Sequence, residues 1–448
     1  MTTPELREEL LAGLRSAMSR AYGAPTDVDS VHSVSAGASR DIWEFTARPA
    51  GMPPQQLILR RDPPTAPRPH QMRREAGVLR AAAHTGAPVP QVVASGDGDG
   101  DIGSPYVVMQ RLRGESIPRK ILREPQYAAA REHLARRLGE IAAHIHQIDP
   151  ASVPGIEAQA EFDTWVDEYA ASGSPSPALE IALRWLTEHR PPTAATTVVH
   201  GDFRLGNILV DAEGVSGVLD WELAHIGDPM LDLGWVATKA WRFGGSGAVA
   251  GVGSVDELVD GYASVAGWAP SPETVRWWQI FGSLRWAVMC RRQANRHLRG
   301  TEQSLELAMI GRRFAENEYD LLLALGLTEP REMPDPLAEV ATVDDPVFGQ
   351  PTASQLIAAV SDELNASRAY SDRLRRNAVD VVHREMLLGD ELRSAYAEAL
   401  AVAGAATERE LAEAIRDGHV ELSDVLAAVR LGVDARLTVW NPRHLATT

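Results

Sequence analysis

The sequence predicts an α+β protein with a small β-rich lobe, a larger helical lobe and a separate all-helical C-terminal domain. Three observations lead to this fold class. Short runs of β-branched and aromatic residues are concentrated in the first quarter of the chain, and helical spacing of apolar residues dominates after them, interrupted by one short predicted hairpin. A proline-rich stretch at residues 329–351 then interrupts the helical pattern. At 448 residues, the chain is also longer than one hydrophobic core usually allows.

The predicted domain boundaries follow these changes of pattern. Residues 1–27 are assigned to an N-terminal helix, since large apolar residues recur there every four positions. The segments after it are the β-rich lobe at 28–112, the helical lobe at 113–328, the linker at 329–351 and the C-terminal domain at 352–448. Strands are predicted at residues 31–34, 42–45, 57–59 and 106–109, with a helix at 71–83. The glycine-rich stretch 244–253 is interpreted as a mobile loop before a helix capped by Ser254 and Glu257.

Composition argues against several classes of function. The net charge of −17 disfavours a broad grip on nucleic acid or on an anionic membrane surface. No apolar run is long enough for a signal peptide or a membrane span, so we expect a cytoplasmic protein without a membrane partner. Cys290 is the single cysteine, which excludes an intramolecular disulfide and a thiolate metal cluster.

The main chemical signal is the run His-Gly-Asp-Phe-Arg-Leu-Gly-Asn at residues 200–207, followed by Leu-Asp-Trp-Glu at residues 219–222. Asp202 supplies a carboxylate that can orient an attacking hydroxyl and accept its proton. Asn207 offers an uncharged oxygen to Mg²⁺, and a predicted hairpin between the two runs returns Asp220 as a charged ligand to the same ion. This order of residues predicts transfer of the γ-phosphoryl group of ATP.

These motifs resemble those of the aminoglycoside phosphotransferase and choline kinase superfamily, in which His-Gly-Asp replaces the His-Arg-Asp of protein kinases. The Gly-Asp-Pro-Met-Leu-Asp-Leu-Gly run at residues 227–234 matches a second pattern of that family. The likeness covers residues 28 to about 325 and is most detailed for the kinase-like domain fused to some acyl-CoA dehydrogenases. It implies a bilobal protein-kinase-like fold that uses ATP and Mg²⁺. It also implies that Asp202 is the catalytic base, that Asn207 and Asp220 are metal ligands, and that Asp232 braces the catalytic loop.

Arginine is predicted to replace the lysine that kinase-like enzymes place on the third strand to hold the ATP phosphates. The two lysines of the chain lie elsewhere, so Arg60 takes this role, with Arg61 as the alternative. Alternation along the strand puts Ile58 on the face of Arg60, where it would cover adenine. Glu75 on the following helix is the predicted partner of Arg60, and a solvated surface acid is the alternative interpretation.

The other nucleotide contacts are predicted from their position between strands. Small residues at 35–39, among them Gly37 and Ser39, allow backbone N–H groups to approach phosphates. The hinge that bonds the adenine edge is expected after the fourth predicted strand, and its residues are Met109, Gln110 and Leu112. Arg204 occupies the place of the catalytic-loop lysine of protein kinases and is expected to steady the transferred phosphate.

The predicted acceptor helix, residues 274–301, contains six arginines and no aspartate or glutamate. The residues expected to contact the acceptor are Trp278, Arg285, Arg292 and Arg296. Tryptophan beside arginine suits an anionic metabolite such as a hydroxy acid or a hydroxyacyl-CoA, whereas a cationic aminoglycoside would need carboxylates. The alternative is that these arginines pair with acids elsewhere and that the aromatic residues lie in the core.

The predicted activity is therefore that of an ATP-dependent kinase acting on a hydroxyl of a small molecule. The alternatives are a nucleotide-binding pseudokinase that serves as a scaffold and an aminoglycoside O-phosphotransferase. The C-terminal domain resembles a helical domain of unknown function found with such phosphotransferases, and it shows no catalytic set of residues. Homo-oligomerisation or docking of a partner through residues 352–448 stays open.

Overall fold

The computed structural model describes residues 4–34, 40–98, 102–339, 352–367 and 369–447. These residues divide into two compact units. The first comprises the residues up to Ala160 together with Pro192–Gln279, and the second comprises Glu161–Pro191 and the residues from Ile280 onward. The α+β class, with an N-terminal β-sheet and a helical C-terminal region, is confirmed. In the described part of the chain, no helix has the length and apolarity that crossing a membrane requires.

The first unit contains an antiparallel sheet of five strands. They are β1 (Thr26–Ser33), β2 (Asp41–Pro49), β3 (Gln55–Arg61), β4 (Val92–Gly96) and β5 (Tyr106–Gln110). Their order across the sheet is β1-β2-β3-β5-β4. Alternation along β3 buries Leu57 and Leu59 in the core, whereas Ile58 and Arg60 face the other side of the sheet. That other side carries the polar residues of the candidate site.

Two helices flank this sheet. Helix α1 (Pro4–Tyr22) places Leu10, Leu14 and Met18 in the same buried cluster as Phe45 and Leu57 of the sheet. The predicted N-terminal helix is thus part of the core of the lobe, and each of these large side chains contributes about 1.5–3 kcal/mol by its burial. Helix α2 (Pro69–Ala82) starts with proline in its first turn, where the missing N–H is not needed, and it packs against β4 and β5.

The rest of the first unit consists of short helices and two small sheets. The helices are α3 (Pro118–Arg123), α4 (Ala128–Ile145), α7 (Met230–Ala237) and α8 (Val255–Ala266). The sheets pair β6 (Thr197–Val199) with β9 (His225–Gly227), and β7 (Ile208–Val210) with β8 (Val215–Val218). Glycine allows α4 and α8 to approach closely, because a Cβ at Gly139 would overlap Leu258 O and one at Gly261 would overlap Arg136 O.

Helix α8 begins with the predicted capping box. The Ser254 hydroxyl accepts a hydrogen bond from the Glu257 N–H, and the Glu257 carboxylate accepts one from the Ser254 N–H at 2.7 Å. The expectation of a mobile loop before this helix is corrected in one respect, since the glycine-rich stretch is packed. Val249 and Ala250 are fully buried, and backbone bridges join residues within the stretch.

The described residues of the second unit form helices and connecting loops, without strands. Its helices are α5 (Glu161–Ala171), α6 (Pro177–Glu188), α10 (Leu305–Arg312), α11 (Phe314–Ala324), α12 (Pro336–Glu339), α13 (Ala353–Asn365), α14 (Tyr370–Val402), α15 (Glu408–Arg416) and α16 (Leu422–Trp440). Helix α9 (Pro272–Leu298) contributes residues to both units.

One apolar core joins helices from both sides of the predicted linker. Ile181 of α6 and Leu322 of α11 are buried in one cluster with Leu411 of α15 and Val429 of α16. The all-helical C-terminal region therefore shares its core with helices that precede the linker. Because the C-terminal region covers the apolar faces of α6 and α11, the compact units do not divide at the predicted linker.

Buried ion pairs reinforce this shared core. The Arg436 guanidinium of α16 donates to both carboxylate oxygens of Glu318 of α11, at 2.7 and 2.9 Å, and to Glu408 at 2.8 Å. The Glu318 side chain is only 1% exposed. A carboxylate at this depth is stable only with such partners, because its desolvation costs several kcal/mol.

We expect Arg436→Met to lower the free energy of unfolding by about 3–5 kcal/mol, since the variant leaves the Glu318 carboxylate buried without its cation. Urea unfolding followed by circular dichroism measures this loss. The matched control is Arg393→Met, because the Arg393 side chain is 66% exposed and pairs with the exposed Asp390, and it should change the free energy by less than about 0.5 kcal/mol. Equal effects of the two variants would show that the buried pair is not a stabilising contact.

Candidate active site

The loop that carries the His-Gly-Asp motif is held by the buried carboxylate of Asp232 in α7. Its two oxygens accept hydrogen bonds from the backbone N–H groups of His200 at 2.7 Å and Gly201 at 3.0 Å, and His146 Nε2 lies 3.1 Å away. Gly201 has a φ of 78°, and a Cβ there would overlap Leu223 O, so glycine is required. These contacts make Asp232 a brace for the loop, as the resemblance implied.

The His200 imidazole joins the same loop to the end of the β7–β8 hairpin. Its Nδ1 accepts the N–H of Asp202 at 3.1 Å, and its Nε2 donates to the carbonyl of Leu219 at 2.9 Å. This pair of bonds requires the neutral tautomer with hydrogen on Nε2. One buried side chain therefore fixes the position of Asp202 relative to the residue that precedes Asp220.

Three donors hold the Asp202 carboxylate in one orientation. Trp235 Nε1 donates to Oδ1 at 2.7 Å, Asn207 Nδ2 donates to Oδ2 at 2.7 Å, and Arg204 Nε reaches both oxygens at 3.0 and 3.2 Å. The Arg204 guanidinium also stacks on the Trp241 ring, 4.7 Å from its centroid. Sequence reasoning missed Trp235, although it lies only three residues after Asp232, about one turn further along α7.

The hairpin brings Asn207 and Asp220 to the same end of the β7–β8 pair. Asn207 precedes β7, and the Leu219 N–H that follows β8 donates to the Asn207 carbonyl at 2.8 Å. Because the Asn207 Nδ2 donates to Asp202, its Oδ1 is the atom left to bind a cation. Asp220 has φ 64° and ψ 66°, a left-handed conformation that costs a non-glycine residue about 1–2 kcal/mol and is concentrated at functional sites.

Arg60 of β3 connects this end of the hairpin to helix α2. Its Nη1 forms an ion pair with Oε1 of Glu75, and its Nη2 lies 3.2 Å from Oδ1 of Asp220. The Glu75 side chain is 1% exposed, so it is not the solvated surface acid of the alternative interpretation. Arg61 faces the opposite side of β3 and pairs with Asp41 at 3.2 Å, which leaves Arg60 as the arginine of the site.

Two sequence profiles match the chain. That of the phosphotransferase enzyme family covers residues 30–268, which are 239 of the 448 residues. The chain belongs to this family. A second profile, of a domain of unknown function (DUF6285), covers residues 362–444 at the C-terminal end.

Several curated proteins are similar to this chain. Acyl-CoA dehydrogenase family member 10 of Mus musculus is 34% identical over 197 residues, which are 40% of this chain and 18% of that protein. Acyl-CoA dehydrogenase family member 11 of Homo sapiens is 31% identical over 234 residues, 48% of this chain and 30% of that protein. Viomycin phosphotransferase of Streptomyces vinaceus is 30% identical over 220 residues, 47% of this chain and 72% of that protein. The chain thus spans less than half of the length of these two acyl-CoA dehydrogenase family members.

A solved structure supports the fold of this family member. The Ralstonia eutropha protein, provisionally named an aminoglycoside phosphotransferase, superposes with a TM-score of 0.55 at 22% sequence identity. The match covers 71% of this chain and 98% of the Ralstonia protein. At this identity the comparison establishes the protein-kinase-like fold alone. The reaction that the site can support depends on its own side chains.

The side chains at this end of the hairpin would fit a magnesium ion whose coordination a bound nucleotide completes. Among the residues that the structure describes, no three His, Cys, Asp or Glu side chains converge as a metal cluster. Magnesium in ATP-dependent enzymes is held by one or two carboxylates, retained waters and substrate phosphates. The Asn207 oxygen and the Asp220 carboxylate, at the two ends of one hairpin, supply the kind of incomplete oxygen set that this mode of binding requires.

The predicted adenine contacts are only partly available. The Gln110 N–H donates to the Gln91 carbonyl and the Arg111 N–H to the Gln56 carbonyl, both at 2.9 Å, so the sheet already uses two hinge donors. The Leu112 N–H is the next donor along the hinge, and the adenine contacts of this segment stay a prediction. Met109 is buried in β5, and Ile58 is half-buried on the face of Arg60. The predicted loop residues Gly37 and Ser39 lie outside the described residues.

The structure distributes the predicted acceptor residues over different environments. Trp278 lies in the core of the first unit, where a Cβ on Gly234 would overlap it. In the second unit, the Arg285 side chain is 2% exposed, with its Nε 3.6 Å from Glu161 Oε2. Arg296 forms an ion pair with Glu302. For these three residues, core packing and pairing with acids describe the observed contacts, as the alternative interpretation stated.

Arg292 differs from the other predicted acceptor residues. Its side chain is exposed, and its guanidinium carbon lies 5.3 Å from the centroid of the Trp165 ring. Within the described ranges it forms no ion pair with a carboxylate. An exposed guanidinium stacked on an indole remains available to a carboxylate or phosphate ligand.

The Asp232 brace predicts a specific acid dependence of stability. Burial opposes ionisation of the Asp232 carboxyl, but the hydrogen bonds from His146 and the His200 N–H outweigh it, so its pKa lies below the ordinary value. Because the native pKa is depressed, this stabilisation is present above the unfolded-state pKa of about 3.9 and is lost as the pH falls through the native pKa.

We expect Asp232→Asn to lower the free energy of unfolding by about 1–3 kcal/mol at pH 7 and to remove part of the acid dependence below about pH 4. Urea titrations of both proteins between roughly pH 2.5 and 7 measure this difference, because that range includes the ordinary carboxyl pKa. Asp390→Asn is the control, since the Asp390 side chain is fully exposed. An acid dependence of Asp232→Asn identical to that of the wild type would contradict the depressed pKa.

Proposed function

We propose that this family member is an ATP- and Mg²⁺-dependent kinase that phosphorylates a hydroxyl group of a small molecule. The observation that carries the proposal is the fixed Asp202 carboxylate, bound by Trp235 and Asn207 at 2.7 Å each, beside the hairpin that presents Asp220. A phosphoryl-transfer enzyme needs this preorganisation, because its catalysis rests on positioning and on charge stabilisation.

Asp202 is the group that handles the proton of the acceptor. As the hydroxyl oxygen bonds to the γ-phosphorus and the bond from that phosphorus to ADP breaks, Asp202 takes up the hydroxyl proton. The products are a phosphate ester, ADP and a proton that Asp202 later returns to water. Trp235 and Asn207 keep the carboxylate aimed during this step, because each donates to a different oxygen.

Arg204 and Arg60 supply positive charge on either side of the metal-binding end. Arg204 lies on the Asp202 carboxylate at 3.0 Å, a position from which its guanidinium can also meet a transferred phosphate. Arg60 would pair with the ATP phosphates. Asn207 Oδ1 and the Asp220 carboxylate would hold Mg²⁺, whose contribution when bound is to neutralise charge on the phosphate oxygens.

The acceptor that we propose is an anionic hydroxylated metabolite, such as a hydroxy acid or a hydroxyacyl-CoA. The support is the absence of acids from residues 274–301 and the exposed Arg292 guanidinium over Trp165. The names of the mouse and human acyl-CoA dehydrogenase family members also favour acyl-CoA compounds. Aminoglycosides are the competing class of acceptor, and the name of the Streptomyces relative refers to viomycin.

A phosphorylation screen tests this proposal. The wild type is incubated with Mg-ATP and three acceptor pools: hydroxy acids, hydroxyacyl-CoA thioesters and aminoglycosides including viomycin. Mass spectrometry then detects products that carry an added phosphoryl group. We expect products in an anionic pool, and Asp202→Asn should lower kcat by at least about 100-fold because it removes the proton acceptor.

Asp390→Asn serves as the control in the screen, since its fully exposed side chain lies outside the site. Products confined to the aminoglycoside pool would overturn the anionic acceptor but keep the kinase activity. Binding of Mg-ATP without turnover in any pool would favour the pseudokinase scaffold. Wild-type activity of Asp202→Asn would remove Asp202 from the catalytic role.

A further inference from the structure

The buried carboxylate of Glu75 is shared by two arginines. Arg60 Nη1 pairs with Oε1, and Arg40 Nη1 pairs with Oε2. The side chains of Arg40 and Glu75 are each 1% exposed, whereas that of Arg60 is 15% exposed. The ion pair between β3 and α2 that the sequence predicts requires only one arginine, Arg60. The presence of the second arginine, Arg40, on the same carboxylate therefore calls for a physical explanation.

Arg40 is itself fixed from behind. Its Nε donates to Oδ1 of Asp62 at 3.1 Å, and Asp62 is completely buried. The other Asp62 oxygen accepts the Arg68 N–H at 2.6 Å. A row of alternating charges thus runs through the unit in the order Asp62, Arg40, Glu75, Arg60 and Asp220.

Burying such a row of charged side chains is energetically unfavourable by itself. Each buried ion loses several kcal/mol of hydration, and this loss is recovered only with close partners in good geometry. Arg40 has two carboxylates and lies 3.9 Å from a third, that of Glu222. Pairing therefore offsets its burial. The same arrangement also determines which oxygen of Glu75 remains for Arg60.

The geometry of guanidinium groups explains why that oxygen matters. An arginine facing a free carboxylate prefers to donate two parallel hydrogen bonds, one to each oxygen. An Arg60 held in this way by Glu75 would spend both of its terminal nitrogens on Glu75. A lysine has a single side-chain nitrogen and cannot form this two-bond arrangement. An arginine at the same place on β3 therefore requires a second cation on Glu75 if one of its own nitrogens is to remain available for another partner.

We propose that Arg40 is a positioning residue that meets this requirement. By occupying Oε2 of Glu75, Arg40 restricts Arg60 to one bond with Glu75 and leaves its Nη2 directed at Asp220, 3.2 Å away. This nitrogen is the one that would reach the ATP phosphates once Asp220 binds the metal. The inference rests on the proposed kinase function for its kinetic consequence, although its structural consequence does not need a nucleotide.

The structural test compares crystal structures of the nucleotide-free wild type and Arg40→Met. In the variant, we expect Arg60 to turn both terminal nitrogens onto Glu75 and to lose its contact with Asp220. If Arg40→Met does not fold, Arg40→Met/Asp62→Asn replaces it, since that variant leaves no unpaired carboxylate at position 62. An Arg60 that keeps its 3.2 Å contact with Asp220 in the variant would overturn the proposal.

The kinetic test measures KM for ATP and kcat in the same variants. Arg40→Met should raise KM for ATP about tenfold with kcat changed less than about threefold, as expected for one lost charged hydrogen bond to the substrate. Arg40→Lys should restore KM to within about threefold, because it keeps a cation on the second Glu75 oxygen. A purely structural role would instead lower the active fraction, and hence kcat, at an unchanged KM.

The control for the kinetic test is Arg61→Met. This variant removes a buried arginine next to Arg60 in β3 that pairs with Asp41 on the opposite face of the strand. Its KM for ATP should stay at the wild-type value. A wild-type KM in Arg40→Met would reject the role of Arg40 while the kinase function stands. A wild type that does not bind Mg-ATP would reject the kinase function, and the crystal structures would still decide the role of Arg40.

Discussion

A carboxylate buried beneath a loop is unstable unless donors surround it, and Asp232 meets this condition with His146 and the N–H groups of His200 and Gly201. The same helix turn carries Trp235, which donates to Asp202. The position of α7 thus sets both the backbone of the His-Gly-Asp loop and the direction of the Asp202 carboxylate. The His200 imidazole then extends this order to the hairpin, and so to Asp220.

Arginine chemistry accounts for much of the remaining architecture. In the second unit, arginines such as Arg436 donate two bonds to one buried carboxylate, which is the preferred geometry of a guanidinium. In the candidate site, Glu75 is instead divided between two arginines, and Arg60 keeps one nitrogen for Asp220. The same residue type therefore stabilises the core in one place and stays available for a ligand in another.

Sequence reasoning found the parts of the site that lie close together in the chain. Asn207 and Asp220 could be paired because a short hairpin separates them, and alternation along β3 identified the face of Arg60. The contacts of Arg40, Asp62 and Trp235 were missed, since each depends on partners far away in the sequence. Likewise β4 was missed because its Ala-Ser-Gly end has little strand preference, and the three-residue strands β6 and β9 are defined only by pairing with each other.

The acceptor helix shows why the rest could not be read from the sequence. Arginines at helical spacing predicted an anionic acceptor, but the pairing of Arg285 with Glu161 and of Arg296 with Glu302 depends on tertiary contacts. Only the exposed Arg292 keeps the predicted character. Spacing along a helix defines a face, and the residues that cover that face are set by the whole fold.

A crystal structure of the wild type with Mg²⁺ and a non-hydrolysable ATP analogue would test directly whether this site carries out phosphoryl transfer. We expect Mg²⁺ to be bound by Asn207 Oδ1 and the Asp220 carboxylate, with the γ-phosphate facing Asp202. We also expect Arg60 Nη2 to leave Asp220 for a phosphate oxygen while Arg40 stays on Glu75. A nucleotide bound elsewhere, or a metal that does not contact Asn207 and Asp220, would contradict the assignment of this site to phosphoryl transfer.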